Sequence, residues 1–158
     1  EGLAGRGQRH AIPAKGGDGS GAALLIDESY NANPASMAAT IRELGKTEAK
    51  RRIAVLGAMK ELGEQEARYH AELAAPLTEA GVDRAVLVGG EMRALAGALG
   101  KSVPGALGKR IDVAHVADAA EALALLEGER LEGGDAVLVK GSNSVGLGAI
   151  VRALTAKD

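Results

Sequence analysis

The chain has 158 residues, 46% of them apolar, which suits one domain with one folded core. Its 19 basic and 21 acidic side chains leave a formal charge of −2 without a long run of either sign, so composition gives no sign of the dense basic surface that non-specific nucleic-acid binding needs. Cysteine is absent, which removes disulfides, thiolate nucleophiles and cysteine-held zinc, and no apolar run reaches the roughly 20 residues that span a bilayer. The glycine-rich, polar start does not read as a signal peptide, so a soluble cytoplasmic monomer is the default expectation. With no Phe, no Trp and only Tyr30 and Tyr69 as aromatics, Leu, Val, Ile and Ala must fill the interior.

The first 22 residues are rich in glycine and predict an edge strand over Gln8 to Pro13 followed by a turn. Leu24-Leu25-Ile26 reads as a short buried strand ending at Asp27. Asn33-Pro34 is a helix start, since Asn caps and Pro fits the first turn. The helix should run to about Lys46 with Met37, Ile41 and Leu44 on one face. Ile53 to Leu56 is a strand stopped by Gly57, and Glu64 to Ala80 a helix that Pro76 should kink or break. Ala85 to Val88 is a strand closed by Gly89-Gly90, with a short helix from Glu91 to Leu99 and a loop from Lys101 to Lys109. Val113 to Val116 is a weaker strand, and Asp118 caps a helix through Glu127. Ala136 to Val139 is the last strand, and Gly141 to Leu154 gives a loop and final helix. Short apolar strands alternating with helices imply an α/β fold, Rossmann-like, with a mostly parallel sheet covered by helices on both faces.

In such sheets ligands bind beyond the C-terminal ends of the strands. Four segments fall there: Asp27 to Asn33, Gly57 to Gly63, Gly89-Gly90-Glu91 and Lys140 to Ser144. The first packs two carboxylates, a hydroxyl, a phenol and two amides into seven residues, enough to hold a ribose, a peptide or a carboxylate. Asp27 and Asn33 could equally shape a turn and cap a helix. Lys140-Gly141-Ser142-Asn143-Ser144 could accept an anion on backbone N–H groups, or be a tight strand-to-helix turn. It lacks the order and spacing of a Walker A loop. Glu66 and His70, four apart on a predicted helix, read as a surface hydrogen-bonded pair rather than a metal site, because no further ligands are evident. No Gly-x-Ser-x-Gly elbow supports hydrolase chemistry.

Together Gly5-Arg6-Gly7, Asp27 to Pro34, Val55 to Gly63, His70, and Val137-Leu138-Val139 running into Lys140-Gly141-Ser142 resemble the C-terminal domain of the Mur ligases, those of the MurF type in particular. Tyr30-Asn31-Ala32-Asn33-Pro34 and Lys140-Gly141-Ser142 favour that type over its relatives. The resemblance covers nearly all of residues 1–158 as a single C-terminal domain, with 1–22 on the interdomain-hinge side. It implies that the P-loop central domain and the UDP-sugar-binding N-terminal domain lie elsewhere, and that the present chain alone is inactive. The implied reaction is ATP- and Mg2+-dependent addition of D-Ala-D-Ala to UDP-MurNAc-tripeptide in peptidoglycan synthesis, a process tied to cell shape and division. No catalytic residue or metal ligand is expected in this chain. The resemblance assigns nucleotide contacts to Arg6, Asp27 (on the ribose), Tyr30 and Asn31, and substrate contacts to Asn33, Lys140 and Ser142. Ala58 stands where many relatives have Asp, and Glu28 where Asp is frequent, so any contact of the former carboxylate is lost here. Another Mur ligase specificity, a free-standing nucleotide- or small-ligand-binding α/β module, and a structural interaction module are the competing readings.

Overall fold

A computed structural model describes residues 4–101 and 110–156. The loop expected around Pro104 lies outside the described residues. The elements in chain order are β1 (Gln8–Pro13), β2 (Ala22–Glu28), α1 (Pro34–Lys46), β3 (Arg51–Gly57), α2 (Glu66–Ala71), α3 (Ala74–Glu79), β4 (Arg84–Val88), α4 (Arg93–Lys101), β5 (Asp112–Val116), α5 (Ala119–Glu129), β6 (Asp135–Lys140) and α6 (Gly148–Thr155). Short 3-10 turns, Gly63–Gln65, Gly90–Met92 and Asn143–Val145, precede α2, α4 and α6.

The strands form one six-stranded sheet in the order β1-β2-β6-β3-β4-β5. β1 runs antiparallel to β2, and every other neighbouring pair is parallel. The fold is therefore the α/β class anticipated from the strand pattern. Successive side chains of a strand point to opposite faces, and here both faces are buried. Ile26, Ala54, Leu56, Leu87 and Leu138 join Met37, Ile41 and Leu44 of α1, Leu77 of α3 and Leu95 of α4 in one core. Leu25, Val55, Val86, Val137 and Val139 join Ala122 and Leu126 of α5 and Ile150 and Val151 of α6 in the other.

The long helix expected over 64–80 is divided. α2 ends at Ala71 and α3 begins at Ala74, which puts Pro76 in the first turn of α3. Proline lacks an N–H and is tolerated there, where that donor has no intrahelical partner. The break therefore precedes the proline. α1 matches its anticipated bounds: Asn33 caps it, Asn33 Oδ1 accepting from the Ser36 N–H while Ser36 Oγ accepts from the Asn33 N–H. Its other end is closed by the Thr47 N–H on the Leu44 carbonyl and by Arg52, whose guanidinium donates to the carbonyls of Leu44 and Thr47, a cation at the end of the helix where the dipole favours one.

β6 is the last strand in sequence but lies between β2 and β3. α1, leaving β2, packs on one face, and α6, leaving β6, packs on the other. Two adjacent parallel strands whose chains diverge to opposite faces open a crevice at their C-terminal ends. Of the four expected segments, Asp27 to Asn33 and Lys140 to Ser144 follow β2 and β6, the two strands that diverge, and the other two follow β3 and β4.

Candidate functional site

The chain enters this rim through a strap, Gly5-Arg6-Gly7, laid across the end of β2. The Gly5 N–H donates to Asp27 Oδ2 at 2.8 Å, the Gly7 N–H to the Asp27 carbonyl at 2.7 Å, and the Tyr30 N–H to the Gly5 carbonyl at 3.0 Å. Gly5 has φ +77°, and a Cβ on it would lie 2.9 Å from Tyr30 Cβ, so both conformation and space require glycine. Asp27 is 4% exposed. Its other carboxylate oxygen accepts from the Ser29 N–H at 3.0 Å and the Ser29 hydroxyl at 2.6 Å. The carboxylate expected on a ribose is thus turned inward, toward Gly5 and Ser29. A buried carboxylate is tolerated because these donors replace water.

The strap delivers Arg6 onto Tyr30, with the guanidinium carbon 3.9 Å from the ring centroid, a cation–π arrangement. Tyr30 is 45% exposed, the exposed large apolar side chain among the described residues. Asn31 is exposed too, and its Oδ1 accepts from the Ala32 N–H at 2.8 Å. The Asn31 carbonyl accepts from Lys140 Nζ at 2.9 Å. Lys140 is paired with Glu28 in the β2–β6 register and is only 3% exposed. Burial lowers its pKa from the usual lysine value, while the negative charge of Glu28 works against that shift. Lys140 therefore bolts the Tyr30–Asn33 loop to the end of β6.

The turn after β6 also grips β3. A Cβ on Gly141 would meet Gly57 Cα at 3.0 Å and Leu147 Cδ1 at 2.9 Å, so two backbones approach through glycine. The Ser142 N–H donates to the Ala58 carbonyl at 2.9 Å, and its hydroxyl lies 3.2 Å from that of Ser144. On the other side of the same peptide group, the Met59 N–H donates to His70 Nε2 at 3.0 Å, while His70 Nδ1 lies 2.8 Å from the Glu66 carbonyl. His70 is fully buried, not the surface partner of the Glu66 side chain that its spacing suggested. Lys60 bridges to Glu91 at 2.6 Å, linking the β3 and β4 exits, and that pairing lowers the Glu91 pKa. Glu61, the residue after Lys60, holds φ +60°, which is unusual for a side chain with a Cβ.

The structure thus gathers Arg6, Tyr30, Asn31, Lys140 and Ser142 at one edge. Asn33 borders it, its side chain committed to capping α1. Ser29 was not singled out from sequence. The Asp-x-Ser spacing was the available signal, because an Asp side chain commonly bonds the backbone two residues on. The Lys60–Glu91 pair had none, being 31 residues apart in the chain. Among the described residues, no group of three or more His, Asp or Glu side chains is placed to hold a metal ion. Nor is any described helix long and apolar enough to cross a membrane.

A family model described as Mur ligase, glutamate ligase domain, matches residues 16–143. The chain is 41% identical over 157 residues to the UDP-N-acetylmuramoyl-tripeptide--D-alanyl-D-alanine ligase of Mycobacterium tuberculosis (strain CDC 1551 / Oshkosh), covering 90% of this chain and 30% of that protein. It is 37% identical over 135 residues to the ligase of the same name from Synechocystis, covering 85% and 28%. Among solved structures, MurF from Acinetobacter baumannii matches with a TM-score of 0.74 and 26% identity, over 98% of this chain and 31% of that one. MurF ligase from Thermotoga maritima in complex with ADP matches with a TM-score of 0.70 over 98% and 31%, a likeness of fold at 24% identity. The chain spans less than a third of the length of these relatives. With its sheet and most of its length accounted for in this way, the chain belongs to the Mur ligase family, whose glutamate ligase domain it carries.

Proposed function

We propose that this chain is the C-terminal domain of a cytoplasmic, ATP-dependent ligase that adds D-Ala-D-Ala to UDP-MurNAc-tripeptide in peptidoglycan precursor synthesis. The two relatives above carry that activity in their names. The observation that carries the reading at the site is the bond from Lys140 Nζ to the Asn31 carbonyl, because it fuses two sequence-distant polar loops into one rim. A rim with a stacked cation, an exposed phenol, the Asn31 amide and the paired Ser142 and Ser144 hydroxyls suits a face that closes over a nucleotide and a peptide held by other domains.

In the full reaction the tripeptide carboxylate takes the γ-phosphoryl group of ATP, the dipeptide amine attacks the acyl carbon, and phosphate leaves. ATP supplies the activation, and Mg2+, held by the preceding domains, would offset the phosphate charge. Arg6, already ordered on Tyr30, presents its guanidinium to nucleotide phosphate or ribose. Asn31 offers its amide N–H groups beside it. Asp27 acts behind them, fixing the strap that aims Arg6. Ser142 and its neighbours would meet the dipeptide. The gain from such closure is orientation and exclusion of water, since a free acyl phosphate would otherwise hydrolyse.

The test is phosphate release with ATP, Mg2+, UDP-MurNAc-tripeptide and D-Ala-D-Ala. The full-length ligase containing this domain should release phosphate only when the dipeptide is present, and the 158-residue chain alone should release none. Turnover by the isolated chain, or a full-length protein that ligates a single amino acid in place of the dipeptide, would overturn the reading.

A further inference from the structure

The most enclosed polar side chain at the rim lies outside the proposed nucleotide and dipeptide contacts. His70 is fully buried in α2, and both ring nitrogens are engaged. Its Nδ1 faces a carbonyl, that of Glu66, and must donate. Its Nε2 faces an N–H, that of Met59, and must accept. The two partners together define one neutral tautomer, protonated on Nδ1 and bare on Nε2.

The Met59 N–H belongs to the same peptide group as the Ala58 carbonyl, and that carbonyl accepts the Ser142 N–H at 2.9 Å. One rigid, planar peptide is thus gripped at both ends, by the imidazole on its N–H side and by the β6 exit on its carbonyl side. Rotating this plane would break both bonds. The neighbourhood is built to hold it still. Ala58 and Met59 are buried, Lys60 is tied to Glu91, and Glu61 is held in the left-handed region. Strained backbone of this kind persists only where its surroundings over-determine it.

We propose that His70 is a positioning residue, whose bare Nε2 orients the Ala58–Met59 peptide and, through that peptide's carbonyl, holds the Ser142 turn in register with the Lys140–Asn31 junction. Its link to turnover rests on the reading of this rim as the face that meets the dipeptide. Gln can place a carbonyl oxygen near the position of Nε2, whereas Leu fills similar space without an acceptor.

Amide hydrogen exchange on the 158-residue chain tests the coupling itself. His70→Leu should speed exchange at both Met59 and Ser142 by about tenfold, the loss of one hydrogen bond each, with Val86 unaffected, and His70→Gln should restore Ser142. An unchanged Ser142 rate in His70→Leu overturns the proposal. Should that variant not fold, the wild-type chain still decides: nitrogen-15 spectra should show Nδ1 protonated and a coupling across the bond from the Met59 nitrogen to Nε2, and a proton on Nε2 overturns it. In the full-length ligase, His70→Leu should raise KM for D-Ala-D-Ala about tenfold while KM for ATP stays within about twofold. Equal rises for both substrates contradict the link to turnover. A wild-type enzyme that does not use the dipeptide overturns the functional reading and leaves the exchange result to judge His70.

Discussion

Asp27 carries the strap that orders Arg6, and its two oxygens have separate duties: Oδ2 holds the Gly5 N–H, and Oδ1 holds Ser29. Asp27→Asn can keep an oxygen toward Ser29 but turns an amide N–H toward the Gly5 N–H, setting donor against donor. We expect a loss of about 2–4 kcal/mol in urea unfolding, with faster amide exchange at Gly5 and little change at Ser29. Lys140 gives a different signature. Its ammonium is buried, so in the window between its lowered folded value and the ordinary 10.5 the unfolded chain binds more protons than the folded one. Unfolding free energy should therefore rise with pH through that window in the wild type relative to Lys140→Met. A difference between the two proteins that stays flat with pH would remove the claim of a desolvated ammonium. Both residues were legible as site candidates, because carboxylate and lysine sat where strands end. Their pairings were not: Asn31 lies 109 residues from Lys140, and nothing in Gly5-Arg6-Gly7 says that the Gly5 N–H meets the Asp27 carboxylate.

Among the elements, the strands and α1 were readable because apolar runs and a capping pair are local signals, and Gln8–Pro13 and Pro34–Lys46 match their expected bounds. The region expected as one helix from Glu64 to Ala80 was less so. Its periodicity continues through Pro76, yet the helix breaks earlier, at Glu72-Leu73, so that the proline can occupy a first turn. The central place of β6 was invisible to any local pattern, since a strand's neighbours are fixed by the packing of the whole sheet. That placement depends on the approach of Gly57 and Gly141. Gly141→Ala should cost about 1–3 kcal/mol in thermal or urea unfolding, because the added methyl meets backbone and Leu147 rather than a mobile side-chain end. An unchanged midpoint would mean that the two exits have room to separate.

Across the whole molecule, the two edges of the sheet divide the work. The edge where the strands begin is held by ion pairs such as Arg51 with Asp135 and Arg84 with Glu129. The edge where they end carries Arg6, Tyr30, Asn31, Lys140 and Ser142, held in place by Asp27 and His70. Hydrogen exchange of the full-length ligase, with and without a non-hydrolysable ATP analogue, UDP-MurNAc-tripeptide and D-Ala-D-Ala, puts this division to its most direct test. Residues 27–33 and 140–144 should gain protection together, while the segment around Arg51 and Glu129–Asp135 stays as it was. Protection confined to the strand-start edge, or to one of the two loops without the other, would contradict a single rim facing the ATP-bearing domain.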